Sequence, residues 1–275
     1  MIPLTINPVS KKRIDMLILE LPQSIILSGE NGVGLFTIAL SIAGKNLIQT
    51  IVPLNTDGEI DRLKGTISVD VIRTLYELTR TKSLSRRVII IDDANMMSHS
   101  AQASLLKLLE EPSANTHFLL TSHAPQQLSA TILSRVQLTH VHTVTRDQTE
   151  TILNESSIMD TKRRAQLLFI AEGRPAEIYR LINDISYFSS QAAIMTDARD
   201  LLTKKSYEKL LIVNRYASDR NKSVQLIDSA ISIARRNVST NAQDQLILQL
   251  KKLLLLRDRL TSNANAKLQM TRFVL

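Results

Sequence analysis

"RRVIIIDDANMMSHSAQASLLKLLEEP", residues Arg86 to Pro112, joins a short apolar run ending in two adjacent carboxylates to a segment with helical spacing. Val88 to Ile91 are all β-branched and flanked by charge, the pattern of a strand buried on both faces. From Ala101 to Glu110 the apolar positions recur at three- and four-residue intervals, which predicts an amphipathic helix. The same alternation extends to either side. "SIILS" (Ser24–Ser28), "TIVPL" (Thr50–Leu54), "RVIIID" (Arg87–Asp92), "HFLLTS" (His117–Ser122) and "VQLTHVH" (Val136–His142) read as strands. Thr37–Gln49, Ser68–Lys82, Ala101–Glu110 and Ala124–Ser134 read as the helices between them. Alternation of this kind predicts an α/β domain over residues 1–143 with a mostly parallel sheet.

Strand-like runs stop after Thr145. "RDQTETILNESSI", "DTKRRAQLLFIAEG" and "RPAEIYRLINDI" predict three short helices, with Gly173 closing the second and Pro175 in the first turn of the third. These make a small helical lid over 144–189. Beyond a polar joint near Ser189–Gln191, longer amphipathic segments such as "SVQLIDSAISIARRNV" and "AQDQLILQLKKLLLLRDRL" predict an all-helical domain over 190–275.

Composition narrows the function classes. The 275 residues are 44% hydrophobic and 22% charged, as in ordinary globular proteins, and contain no cysteine, so disulfides and cysteine-based zinc sites are excluded. "MIPLTINPVSKKRID" has no secretory pattern, and no apolar run reaches the roughly 18 residues of a bilayer span. A cytoplasmic location without a membrane partner is the expectation. The net charge of +8 is uneven. Lys/Arg and Asp/Glu balance at 19 each through residue 190, whereas residues 191–275 carry 15 against 7. Such a bias suits an anionic partner or a helical bundle with basic outer faces.

"ILSGENGVGLFTIAL" (Ile26–Leu40) sets glycines at Gly29, Gly32 and Gly34 between a strand and a helix. Backbone N–H groups in such a turn, with a helix N-terminus behind them, form an anion cradle. An active phosphate-binding loop reads GxxxxGK[ST], and here Leu35 and Phe36 stand where the lysine and the hydroxyl residue belong. Thr37 is one position late, about 100° round the helix. Asp92 and Asp93 resemble a Walker B pair, in which the first carboxylate helps hold Mg²⁺ and the second, usually Glu, polarises water. Asp93 is a methylene short, and a misplacement of about 1 Å can cost roughly a hundredfold. No hydrolysis and no resident cofactor are the expectation, with weak occupancy by a nucleotide or phosphate as the alternative.

The longer string Ile67–Gln137 closely resembles the AAA+ module of bacterial DNA polymerase III clamp-loader subunits, the delta prime and gamma/tau types. "LLKLLEEP", the "TS" after a strand and "LSRV" in place of Ser-Arg-Cys stand in the family's order and spacing. More faintly, the likeness runs from the glycine-rich turn to the C-terminal "NANAKLQMTRFVL", which is similar to the last collar helix. The resemblance implies an AAA+ core, a lid and an oligomerising collar. Arg135 in "TILSRVQ", after Ser134, matches the arginine that the family inserts into a neighbour's ATP site, where such fingers are worth about 10³–10⁵ in rate. Val136 replaces the cysteine. Thr121 and Ser122 fall at the sensor-1 position. The sensor-2 arginine, counted from Gly173, would be residue 176, which is Ala176, with Arg174 and Arg180 to either side.

The family's four-cysteine zinc module has no counterpart between Asn46 and Gly65, and the five histidines form no metal motif. Lys107 lies on a helix that the family turns toward DNA. Arg235, Arg236, Lys251, Lys252, Arg257 and Arg259 are collar charges without an assignable partner. The resemblance therefore implies a delta-prime-like, non-hydrolysing subunit whose partners are gamma/tau and delta siblings, the sliding clamp and primer-template DNA. Two rivals stand beside it: a diverged gamma/tau-like ATPase, and a stand-alone DNA-binding AAA+-like module.

Overall fold

In the computed structural model, residues 5–62, 64–80, 83–240, 244–262 and 264–275 are described. The chain divides into two compact units, Met1–Tyr179 and Arg180–Leu275. In chain order the first unit begins α1 (Pro8–Leu19), β1 (Ser24–Ser28), α2 (Leu35–Ala43), β2 (Leu47–Ile51), α3 (Val69–Thr79), β3 (Arg87–Ile91) and α4 (His99–Glu110). It continues with β4 (Thr116–Ser122), the short α5 (Ala130–Leu133), β5 (Gln137–His140), α6 (Arg146–Glu155), α7 (Thr161–Ala171) and α8 (Pro175–Asn183), whose last turn runs past Tyr179.

The five strands form a parallel sheet in the order β2-β3-β4-β1-β5. The interiors of β1, β3 and β4 are apolar because successive side chains enter two separate cores, whereas the edge strands β2 and β5 carry polar, exposed positions. Ile26, Ile89, Ile91, Phe118 and Leu120 pack on one side with Ile72 and Leu75 of α3 and Leu105 of α4. Ile25, Leu27, Val88, Ile90 and Leu119 pack on the other with Ile14 and Leu17 of α1 and Ile38 of α2. The interiors of the three central strands are closed to water, with Ile25–Leu27, Val88–Ile91 and Phe118–Leu120 fully buried.

Several boundaries differ from the sequence reading, each for a local reason. The helix expected to reach Gln49 stops at Ala43, because Gly44 turns the chain at positive φ. β2 then begins at Leu47 rather than Thr50 and ends before Pro53, which has no N–H for a ladder. The helix expected over Ala124–Ser134 is a 3-10 turn at Pro125–Gln127 followed by α5, whose N-cap Ser129 accepts from Ile132 N. The α3 segment ends at Thr79; the Thr81–Lys82 end of that expectation lies outside the described residues, as do residues 1–4. The helix α1 has no counterpart in the sequence reading. Asn7, which caps it by accepting from Val9 N, and Pro8 at its first position were its signal.

Among the described residues, the elements of the second unit are helices: α9 (Ile185–Thr203), α10 (Ser206–Tyr216), α11 (Arg220–Thr240), α12 (Asp244–Thr261) and α13 (Ala266–Val274). The polar joint expected at Ser189–Gln191 is instead part of continuous α9, where Ser189 and Ser190 lie on its exposed face. α11 packs against α12 and α9, and Leu226, Ile227, Ala230 and Ala234 of α11, Leu253, Leu256 and Leu260 of α12, and Ala198 and Leu201 of α9 are buried. Ala242, Gln243 and Asn263, within segments read as helical, lie outside the described residues. Among the described residues, no helix is long and apolar enough to cross a membrane.

Candidate functional site

The parallel sheet brings three loops together at its C-terminal edge, where Ser28 is in register with Ser122 and Ile91 with Leu120. The glycine-rich turn after β1 needs its glycines for distinct reasons. A Cβ on Gly29 would lie 2.7 Å from the Val141 carbonyl oxygen, and Gly32 and Gly34 have φ of +92° and +89°. Gly34 is the N-cap of α2. Leu35 is only 2% exposed and packs among Ile25, Leu27 and Ile38, and Phe36 lies against the same core. Both residues that replace the phosphate-binding pair have become packing residues. Thr37 is exposed.

The carboxylates leave β3 in a fixed arrangement. Asp92 N donates to Ile51 O at 2.8 Å, which prolongs the β2–β3 ladder by one residue. Asp93 takes the left-handed conformation, at φ +51°, and a 3-10 turn over Ala94–Met96 follows. Thr121 ties the pair together: its hydroxyl donates to Asp92 Oδ1 at 2.6 Å and accepts from Asp93 N at 3.0 Å. Ser122 donates instead to Asn95 Oδ1 at 2.9 Å. His123 Nδ1 donates to Gly29 O at 2.9 Å, since a carbonyl only accepts, and its Nε2 lies 3.7 Å from Asp93 Oδ1. Burial, then the adjacent Asp92 charge, push the Asp93 carboxyl above its ordinary value, against the opposing pull of His123 and Arg62.

Arg62 is the member of this site that the sequence reading missed. Its Nη1 donates to Asp93 Oδ2 at 3.0 Å and also to Asp92 Oδ2, and its guanidinium lies 5.3 Å from the centre of the Phe36 ring. No spacing rule pointed to it, because it sits in an irregular loop thirty positions before Asp92.

The start of α8 reaches the loop directly. Ala176 N donates to Gly32 O at 2.9 Å, and a Cβ on Gly32 would meet the Cβ atoms of Glu177 and Arg174 at 3.1 and 3.3 Å. Position 176, the expected place of a sensor-2 arginine, thus lies against the glycine-rich turn and carries a methyl group. Arg174 donates to the Ala171 and Ile170 carbonyls at 2.9 and 2.8 Å, closing the end of α7.

These side chains do not supply what a magnesium-bound nucleotide needs. Leu35 brings no ammonium, Phe36 no hydroxyl and Ala176 no guanidinium, and the two carboxylates already hold Arg62. No group of three or more His, Cys, Asp or Glu among the described residues could hold a metal ion.

Arg135 lies elsewhere, one residue past the C-cap of α5. Its Nη1 donates to Thr131 O and to Ser134 Oγ, both at 3.1 Å, and its Nη2 pairs with Glu110 at 2.9 Å. Its side chain is 37% exposed. Ser134 donates to Thr131 O at 2.9 Å. Lys107 is exposed on α4, in a cleft with Val69, Arg73, Tyr76 and Ser104. Of the basic residues of the second unit, Arg257 pairs with Asp228 at 2.6 Å and Arg259 donates to Gln269 at 3.3 Å. Arg235, Lys251 and Lys252 are exposed.

A parallel sheet in this order, with a glycine-rich turn after β1, an acidic pair after β3 and a polar residue at the end of β4, defines an AAA+-type core. Across 96% of this chain and 97% of its own, a DNA polymerase III gamma-subunit-related protein from Thermotoga maritima has the same fold, with a TM-score of 0.54 at 17% identity. Residues 49–145 match the family described as DNA polymerase III, delta subunit. DNA polymerase III subunit tau of Salmonella typhimurium is 32% identical over 195 residues, 63% of this chain and 30% of that protein. Subunit delta′ of Escherichia coli is 26% identical over 153 residues, 55% of this chain and 46% of that protein. The chain is thus similar to DNA polymerase III subunits of the delta prime and gamma/tau type, and its matches span less than half the length of these two relatives.

Proposed function

We propose that this chain acts in DNA replication as the delta-prime-like member of a clamp loader, a subunit that does not hydrolyse ATP and supplies Arg135 to the ATP site of a neighbouring motor subunit. The observation that carries this reading is the burial of Leu35 at 2% exposure in the place of the phosphate-binding lysine. With Phe36 and Ala176 it removes three of the groups that a hydrolysing relative needs, each by substitution rather than by disorder. Arg135, by contrast, is exposed and held only by surface contacts. A guanidinium in that condition is free to leave Glu110 for a phosphate, where it would offset charge developing in the transition state.

In this reading the helical second unit is the collar that joins gamma/tau and delta siblings, and the assembly opens the sliding clamp at primer-template DNA. Lys107 contacts a DNA phosphate within the complex, and no zinc takes part. Mixing the purified chain with gamma/tau- and delta-type partners tests the reading. The chain is expected to co-elute with them in size-exclusion chromatography and to show no ATP turnover alone. Turnover by the chain alone at high protein concentration, abolished by Asp93→Asn, would establish the diverged-motor reading instead. Submicromolar DNA affinity of the isolated chain, falling steeply with salt, would favour the stand-alone DNA-binding reading.

A further inference from the structure

We infer that Arg62 is a built-in counter-cation, occupying the place at the Asp92–Asp93 pair where a divalent metal would sit and so closing this site to magnesium-bound nucleotides. The inference deepens the reading of the site as idle and rests on it.

Two carboxylates on consecutive residues, 2% and 7% exposed, cannot both stay ionised without a cation beside them. In a hydrolysing relative of this fold that charge would be a metal ion, bridging the carboxylate to phosphate oxygens. Here Oδ2 of Asp92 and Oδ2 of Asp93 are both engaged by Nη1 of Arg62. The other oxygen of Asp92 is engaged by the Thr121 hydroxyl.

The substitution at position 36 is part of the same device. A Ser or Thr hydroxyl there would ligate the metal, whereas the Phe36 ring offers its face to the cation, 5.3 Å from the guanidinium carbon. Phe36 thus removes a metal ligand and adds a seat for the replacement charge. This explains why the position carries an aromatic ring rather than a small inert residue. Displacing Arg62 would require a metal to compete with a tethered cation whose side chain has no diffusional cost of arrival. It would also leave the Phe36 face without its partner.

The test uses the whole chain and Mn²⁺ alone as the probe. In wild type, the amide NMR signals of Asp92, Asp93 and Thr121 are expected to keep their linewidths when Mn²⁺ is added at equimolar concentration. Arg62→Met, which keeps an unbranched stem over Phe36, leaves the carboxylate pair without its cation. That variant is expected to bind Mn²⁺ at least tenfold more tightly than wild type, by electron paramagnetic resonance titration, and to lose the gain when Asp93→Asn is added. Selective broadening at the three amides in wild type overturns the inference whether or not the variant folds. A folded Arg62→Met that binds Mn²⁺ no better than wild type overturns it as well. If wild type turns over ATP, the idle-site reading falls with it. If wild type is inactive and Arg62→Met gains nothing, only the role of Arg62 falls.

Discussion

The glycine-rich turn and the Ser134–Arg135 corner belong to the same unit and differ in how their side chains are held. At the turn, Leu35 is sunk in the core, Gly32 is clasped by the first turn of α8, and the acidic pair is tied by Thr121 and Arg62. At the corner, the Arg135 guanidinium bonds its own short helix and one partly exposed glutamate. Exposed pairs of that kind are worth about 0–1 kcal/mol, so the arginine can be redirected at little cost. Rearranging the turn would mean opening a packed core. The contrast suits a chain whose inward-facing site is closed while an outward-facing residue remains available.

The comparison breaks most visibly at Leu35. Restoring the lysine with Leu35→Lys removes a buried apolar side chain and forces an ammonium toward the core, so a loss of about 2–4 kcal/mol is expected by chemical denaturation. No ATP turnover should appear, because Phe36, Ala176 and Arg62 still stand in the way. Full stability together with new turnover would show that the turn is plastic after all.

A smaller effect separates the two carboxylates. Because the folded protein raises the Asp93 carboxyl above its ordinary value, the stabilising contribution of that group is present when it is protonated. It is lost as pH rises through the folded value. Asp93→Asn should therefore raise the melting temperature at neutral pH, by about 2 °C or more. The gain should shrink as pH falls below the ordinary carboxylate range. Asparagine also suits the positive φ at this position. A loss of stability at neutral pH would mean that the ion pair with Arg62 outweighs the repulsion from Asp92.

The smallest effect belongs to the corner. Glu110→Ala should change folding stability by less than about 1 kcal/mol, since it removes one exposed ion pair. A larger loss would mean that Arg135 is a structural residue.

Much of the core was legible from residues 24–28, 87–91 and 116–122, because strands buried on both faces must be apolar throughout. Boundaries were legible where one residue acts locally, as Pro175 does at the start of α8. They were lost where punctuation competed with apolar periodicity: Gly44 ended α2 although the hydrophobic pattern ran on to Gln49. The joint at Ser189–Gln191 failed for the opposite reason, since exposed serines on one face of a helix look like a linker in one dimension. Within the candidate site, motif order located Gly29, Gly32, Gly34, Asp92, Asp93 and Thr121. Arg62 was invisible because its meeting with the carboxylates and with Phe36 is made only by the folded chain.

The pairing of a closed site with an available arginine is tested most directly by reconstituting the chain with its motor partner and comparing wild type with Arg135→Ala. The account predicts that clamp- and DNA-stimulated hydrolysis at the adjoining motor site falls about 10³-fold, with assembly intact. Unchanged stimulated hydrolysis in an intact assembly would contradict it.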